Sequence, residues 1–169
     1  GILIYNYRTD RYEQPATDFP TDVRTMALQG DTLWIGALNG LYTYQLQNRK
    51  LSPLDTKRNG LPHNTIYSII RTGDNQIYVG TYNGLCRYIA SNGKFEKIPL
   101  PVNSSQSNLF VNSLLEDTGR QCIWIGTEGY LFQYFPSTGQ MKQTEAFHNN
   151  SIKSLALDAV SYTHLTLPT

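Results

Sequence analysis

The stretch from Leu33 to Tyr44, LWIGALNGLYTY, is written again from Ile77 to Tyr88 as IYVGTYNGLCRY and from Ile123 to Tyr134 as IWIGTEGYLFQY. Internal repetition constrains the fold more than any single residue does, because a unit that recurs must pack against its own copies. Each copy has an apolar residue, an aromatic, Ile or Val and a Gly, then a short polar turn, then a second apolar run closing on Tyr. The pattern predicts two strands and the hairpin between them, with Asn39-Gly40 and Asn83-Gly84 as turn dipeptides that tolerate positive φ.

The columns agree with one another. Gly36, Gly80 and Gly126 are 44 and 46 residues apart, and so are Tyr44, Tyr88 and Tyr134. Upstream of the hairpins lie further apolar stretches at 23–28, 66–70, 111–115 and 152–157, and downstream weaker, alternating ones at 50–52, 94–98 and 140–142. Four short strands per unit of about 40 to 50 residues predict an all-β fold, a β-propeller of four-stranded antiparallel blades. Helical solenoids of similar period are excluded, since the stretches are short, rich in β-branched and aromatic residues, and broken by Gly, Asn and Asp. Inner strands with a neighbouring blade on each face should be nearly continuous in apolar residues, while the outermost strand should alternate, and the sequence has this gradient.

Read as blades, residues 1–20 are the C-terminal half of a preceding one, 21–63, 64–107 and 108–149 are three whole ones, and 150–159 is the first strand of the next. The expectation is an incomplete propeller, a fragment of a longer protein. Residues 160–169, VSYTHLTLPT, fit no column. They resemble the translation of a transposon adapter used in sequencing libraries, so a non-native tail is expected, with native sequence continuing past Ala159.

Composition narrows the function. Aromatics make up 12% of the 169 residues and charged residues 16%, the latter against a usual figure of about 25%, which argues against disorder and against a charged helical bundle. A net charge of +1 without a cluster of Lys and Arg gives no footprint for nucleic acid. Cys86 and Cys122 occupy non-equivalent places in their repeats, so neither a disulfide nor a metal site is expected and both read as small buried hydrophobes. No signal peptide and no apolar run long enough to cross a bilayer is present. No cofactor is expected.

The order of Asn, Ile, an apolar strand, an acidic-Gly turn, Trp-Ile-Gly-Thr and Asn-Gly-Leu resembles the two-component regulator propeller repeat. Asn64 to Ile69 and Ile123 to Thr127 are the nearest copies, and Asn59-Gly60-Leu61-Pro62-His63-Asn64 resembles the family's inter-blade segment. Ala37 in place of Thr, Tyr78 in place of Trp, and Gly129-Tyr130 in place of Asn-Gly depart from the pattern. The resemblance implies the periplasmic sensor region of a hybrid two-component system of the kind found in Bacteroidetes, with seven blades per propeller. It further implies a second propeller, a downstream membrane helix, a histidine kinase and a DNA-binding module in the same parent chain, a possible homodimer of that parent, and oligosaccharides as ligands.

The repeated aromatics Trp34, Tyr78, Trp124, Tyr44, Tyr88 and Tyr134 are tempting as sugar platforms, but identical copies inside apolar strands read as core packing. Specificity is expected where the copies disagree, in loops on a rigid scaffold. With four antiparallel strands per blade, the turn between strands two and three and the connection between blades share one face. Asn39, Arg58, His63, Tyr82, Asn83, Glu128, Tyr130 and His148 are the candidate ligand-binding residues there, with Asn59, Asn103 and Asn149 beside them. Tyr82 and Tyr130 would stack on sugar rings, and Arg58, Asn83 and Glu128 would bond hydroxyls; ordinary loop polarity is the competing reading for each. Two further functions stay open: a protein-interaction propeller without a small ligand, and a lyase resembling the streptogramin-inactivating enzymes, in which His63 or His148 would act as base beside a metal.

Overall fold

The structure is a computed structural model and describes residues 2–13, 19–102, 109–144 and 151–158. The tail at 160–169, with Ala159, therefore lies outside the described residues. The strands β1 (Ile4–Asn6) and β2 (Arg11–Glu13) form an antiparallel ribbon. Three four-stranded antiparallel sheets follow: β3 (Val23–Gln29), β4 (Thr32–Ala37), β5 (Gly40–Gln45) and β6 (Lys50–Leu54); β7 (Ile66–Arg71), β8 (Ile77–Thr81), β9 (Gly84–Ile89) and β10 (Lys94–Ile98); β11 (Val111–Asp117), β12 (Cys122–Thr127), β13 (Leu131–Phe135) and β14 (Gln140–Thr144). Within each sheet the strands are hydrogen-bonded in chain order. These are propeller blades, here called first, second and third, and the all-β fold expected from the repeat is the fold observed.

The core lies between blades. Trp34 and Leu41 of the first pack with Ile66, Ile69, Val79 and Phe95 of the second. Tyr78 and Leu85 of the second pack with Val111, Leu114, Ile125 and Phe132 of the third. Beyond the third blade, Trp124 and Leu131 close on Ile152, which is 1% exposed. The repeated aromatics are thus buried against the next blade. Burying an aliphatic chain this fully contributes about 1.5–3 kcal/mol, so the contacts that recur between blades supply much of the driving force.

The glycine column explains itself at these contacts. A Cβ placed on Gly36 would sit 2.5 Å from Ile66 Cγ2, one on Gly80 2.6 Å from Val111 Cγ1, and one on Gly126 2.6 Å from Ile152 Cγ2. In every case the intruder is the first apolar residue of the next blade's inner strand. The adjoining irregularity in register, between Val23 and Thr25, Ile66 and Ser68, and Val111 and Ser113, lets a hydroxyl turn towards the neighbour. Ser68 Oγ donates to Val111 O at 3.2 Å, Ser113 Oγ to Ile152 O at 3.3 Å, and Thr25 Oγ1 accepts from Ile69 N at 3.2 Å.

Two local expectations are corrected. Of the dipeptides Asn39-Gly40 and Asn83-Gly84 only Gly84 has positive φ, at 98°; Gly40 instead leaves room for the ring of Tyr42. The left-handed residues of the described chain form another column, Asp10, Arg49, Gly93 and Gly139, each just before the outermost strand. The connection from first to second blade also contains a short helix, α1 (Thr56–Asn59), which Asp55 caps by accepting from Arg58 N at 2.7 Å and Gly60 ends at φ 73°. Cys86 and Cys122 are buried and free, and burial pushes both thiols up. No helix among the described residues is long and apolar enough to cross a membrane.

Candidate functional site

At the end of the blades that carries the β8–β9 turn, four side chains form an aromatic tile. His63 lies 4.9 Å from the ring of Tyr82, Tyr82 lies 4.1 Å from Phe110, and Phe110 lies 6.1 Å from Tyr67 in a stacked arrangement. The tile forms because the segment entering β7, the β8–β9 turn and the segment entering β11 all reach this end, tied by Tyr82 N to Thr65 O at 3.0 Å and Gly84 N to Leu109 O at 3.2 Å. All four rings are half-buried, so each keeps surface for a further ring or a sugar face. His63 Nδ1 accepts from Thr65 N at 3.0 Å, which leaves the Nε2–H of the neutral ring as a donor.

His63 and Tyr82 are therefore brought together, with Asn83 exposed beside them and its backbone N–H held by Thr81 Oγ1 at 3.0 Å. Asn39 is exposed at the equivalent turn of the first blade. Arg58 stands elsewhere. It belongs to α1, whose Asn59 Nδ2 donates to Gly93 O at 2.9 Å in the turn before β10, so the connection dips along the outer strand and carries Arg58 to the rim, 3.8 Å from Asp55. Asn59 is thus a structural tie. His148, Asn103 and Asn149 lie outside the described residues.

Glu128 is occupied by structure. Its carboxylate accepts from Ser151 Oγ at 2.5 Å, Lys153 Nζ at 2.9 Å and Asn112 Nδ2 at 2.9 Å, and these donors hold its pKa down at about 2. It ties the turn of the third blade to the segment beyond. Tyr130 packs at 5.7 Å from Phe132 on the edge of the core. Phe110 and Tyr67 were not among the candidates expected from sequence. The available signal was the one used for Tyr82: Phe110 stands in the column of Asp22 and Thr65, and Tyr67 in that of Arg24 and Asn112, so both are aromatics where the copies disagree.

A family model described as two component regulator propeller matches residues 60–83. Among solved structures the chain is similar to the extracellular domain of the hybrid two component system BT4673 from B. thetaiotaomicron, with 89% identity and a TM-score of 0.88 over 94% of this chain and 21% of that one. It is also similar to the extracellular domain of the hybrid two component system BT3049 of the same organism, at 20% identity and TM-score 0.62–0.63 class geometry over 86% of this chain, and to virginiamycin B lyase from Staphylococcus aureus, at 11% identity and TM-score 0.62 over 84% of this chain and 47% of that one. The last two likenesses concern the fold alone. No curated protein matches. The chain spans about a fifth of the length of the BT4673 domain, 21%. It is a run of two-component regulator propeller blades, similar over nearly its whole length to part of the extracellular domain of a hybrid two-component system.

Proposed function

We propose that this chain is part of the ligand-sensing propeller of a hybrid two-component system, which recognises oligosaccharides outside the cytoplasm and passes the event through a membrane helix to a kinase and a transcription-regulating module. The observation that carries this reading is the 89% identity to an extracellular domain of such a system. The compartment is the periplasm, the remaining blades and a second propeller belong to the same parent chain, and the blades themselves perform no chemistry. The half-buried tile of His63, Tyr82, Phe110 and Tyr67 supports a binding role, since loops on a rigid scaffold are where such domains meet their ligands.

The test is thermal melting of the whole extracellular region with a panel of oligosaccharides. Binding to the native state raises the melting temperature with ligand concentration, and a rise with one oligosaccharide class is expected. A melting temperature unchanged across the panel would favour the interaction-module reading, for which the aromatic tile is equally suited. The lyase reading rests on a fold likeness at 11% identity; turnover of a streptogramin that a chelator abolishes would revive it.

A further inference from the structure

The interfaces between successive blades are not equivalent. Between the first and second blades the groove opposite the aromatic tile is filled by Trp34, whose indole meets Tyr88 edge-on at 4.7 Å and Phe95 at 6.4 Å. Its Nε1 donates to Gln29 Oε1 at 3.1 Å, and Gln29 Nε2 reaches across to Asn75 O at 2.7 Å, which closes the mouth. Between the second and third blades the same column holds Tyr78, a smaller ring, and the position of Gln29 is taken by Thr72. The Thr72 hydroxyl turns back to Gln76 O at 3.2 Å within its own turn instead of across the groove. The result is an open cleft of about 670 Å³, lined among others by Tyr78, Arg87, Glu116, Asp117, Gln121 and Ser137. That volume falls within the roughly 300–1,000 Å³ usual for small-ligand sites.

The lining is specific to this interface. Arg87 stands where the other blades have Thr43 and Gln133; its Nη2 donates to Glu96 at 2.8 Å, while its Nε is buried without a hydrogen-bond partner. Such a donor is costly unless an acceptor is supplied. The carboxylates are already engaged: Glu116 accepts from Gly73 N at 2.9 and 3.0 Å across the interface, and Asp117 from Trp124 Nε1 at 3.1 Å and Arg120 Nη1 at 3.0 Å. They do not await a cation, yet Asp74, Glu116 and Asp117 together disfavour an anion. Their free lone pairs and the amides of Gln76 and Gln121 suit a partner that both donates and accepts.

We propose that the cleft between the second and third blades binds a neutral, hydroxyl-rich molecule of oligosaccharide type, hydroxyl donors facing Glu116 and Asp117 and an oxygen facing Arg87. The ligand class rests on the sensing function proposed above; the location rests on the exchange of Trp for Tyr78. The test is titration calorimetry on the whole extracellular region with neutral trisaccharides (maltotriose, cellotriose, xylotriose, mannotriose) and a trigalacturonate as the acidic counterpart. Two variants report on the cleft: Tyr78→Trp, which restores the residue the repeat uses to fill it, and Ser137→Trp, at an exposed rim position where folding is not at stake. Tyr82→Ala reports on the tile.

A neutral trisaccharide bound by the wild type, and weakened by at least about tenfold in both cleft variants but not in Tyr82→Ala, is the expected result. Loss in Tyr82→Ala with both cleft variants unaffected would overturn the cleft and leave oligosaccharide sensing standing. Tighter binding of the trigalacturonate would overturn the neutral class. No heat with any sugar would overturn the proposal together with the sugar reading on which it rests.

Discussion

At the scale of residues, the columns of the repeat were legible and their meaning was largely steric. Gly80 is conserved between copies because Val111 of the next blade occupies the space of a Cβ, and that is why a glycine recurs inside an otherwise apolar strand. Gly80→Ala is expected to destabilise the protein by about 1–3 kcal/mol through overpacking. Gly129→Ala, with nothing within 4 Å of the new atom, should stay within about 0.5 kcal/mol; denaturant midpoints of the two variants check the contrast. Glu128 shows the opposite case, a residue whose role sequence alone misassigns, since its partners Ser151 and Lys153 are more than twenty positions away, at separations of 23 and 25. Its carboxyl is held at about 2 against an ordinary 4.5, so the stabilisation it gives is present above 4.5 and is lost as the pH falls from there towards 2. With the Glu128 side chain 42% exposed, solvent screening keeps the ion-pair part below about 1 kcal/mol. Hydrogen exchange at Ile152 should accelerate across that window in the wild type, and Glu128→Gln should flatten the dependence; an equal profile in both would contradict the assignment.

At the scale of elements, four strands per unit follow from spacing and apolar content, but connections do not. The helix α1 was invisible because Asp55, Thr56 and Lys57 carry no periodic apolar face; what makes it is a single cap, the Asp55 carboxylate on Arg58 N, and a left-handed stop at Gly60. Its detour removes Arg58 from the face where the connection begins and ends. The hairpin turns were misread for a related reason: Asn-Gly favours positive φ in a two-residue turn, whereas here Asn39 and Asn83 sit in turns organised by other contacts, such as Thr81 Oγ1 on Asn83 N at 3.0 Å. The segment 151–158 takes part in packing without a partner strand, through Ile152 N to Thr127 O at 2.8 Å and the burial of its side chain beside Trp124. Ile152→Ala should therefore cost about 2–4 kcal/mol in denaturant unfolding, as a core substitution does, and not the few tenths of a loop residue.

At the scale of the whole molecule, the run of blades has one uncovered flank. Met26 is 52% exposed, while its counterparts Ile69 and Leu114, each facing a preceding blade, are 6% and 9% exposed. Leu28, also 52% exposed, and the rings of Tyr5, Tyr7 and Tyr12 add to the apolar surface at this end. Exposed apolar surface of this kind drives association. The chain taken alone is expected to sediment as a concentration-dependent oligomer, and Met26→Lys to shift it towards monomer; a wild-type monomer across the concentration range would contradict this. What the sequence could not carry was the location of a ligand. Tyr82 stood out as a loop aromatic, whereas the replacement of Trp by Tyr78 looked like a weakened copy until its neighbour Arg87 and the open cleft were seen together. The most direct measurement is a crystal structure of the whole extracellular region grown with the neutral trisaccharide that raises its melting temperature. Sugar density between Tyr78, Arg87 and Glu116 is the predicted result, and sugar density on the His63 and Tyr82 rings, with the cleft empty, would contradict it.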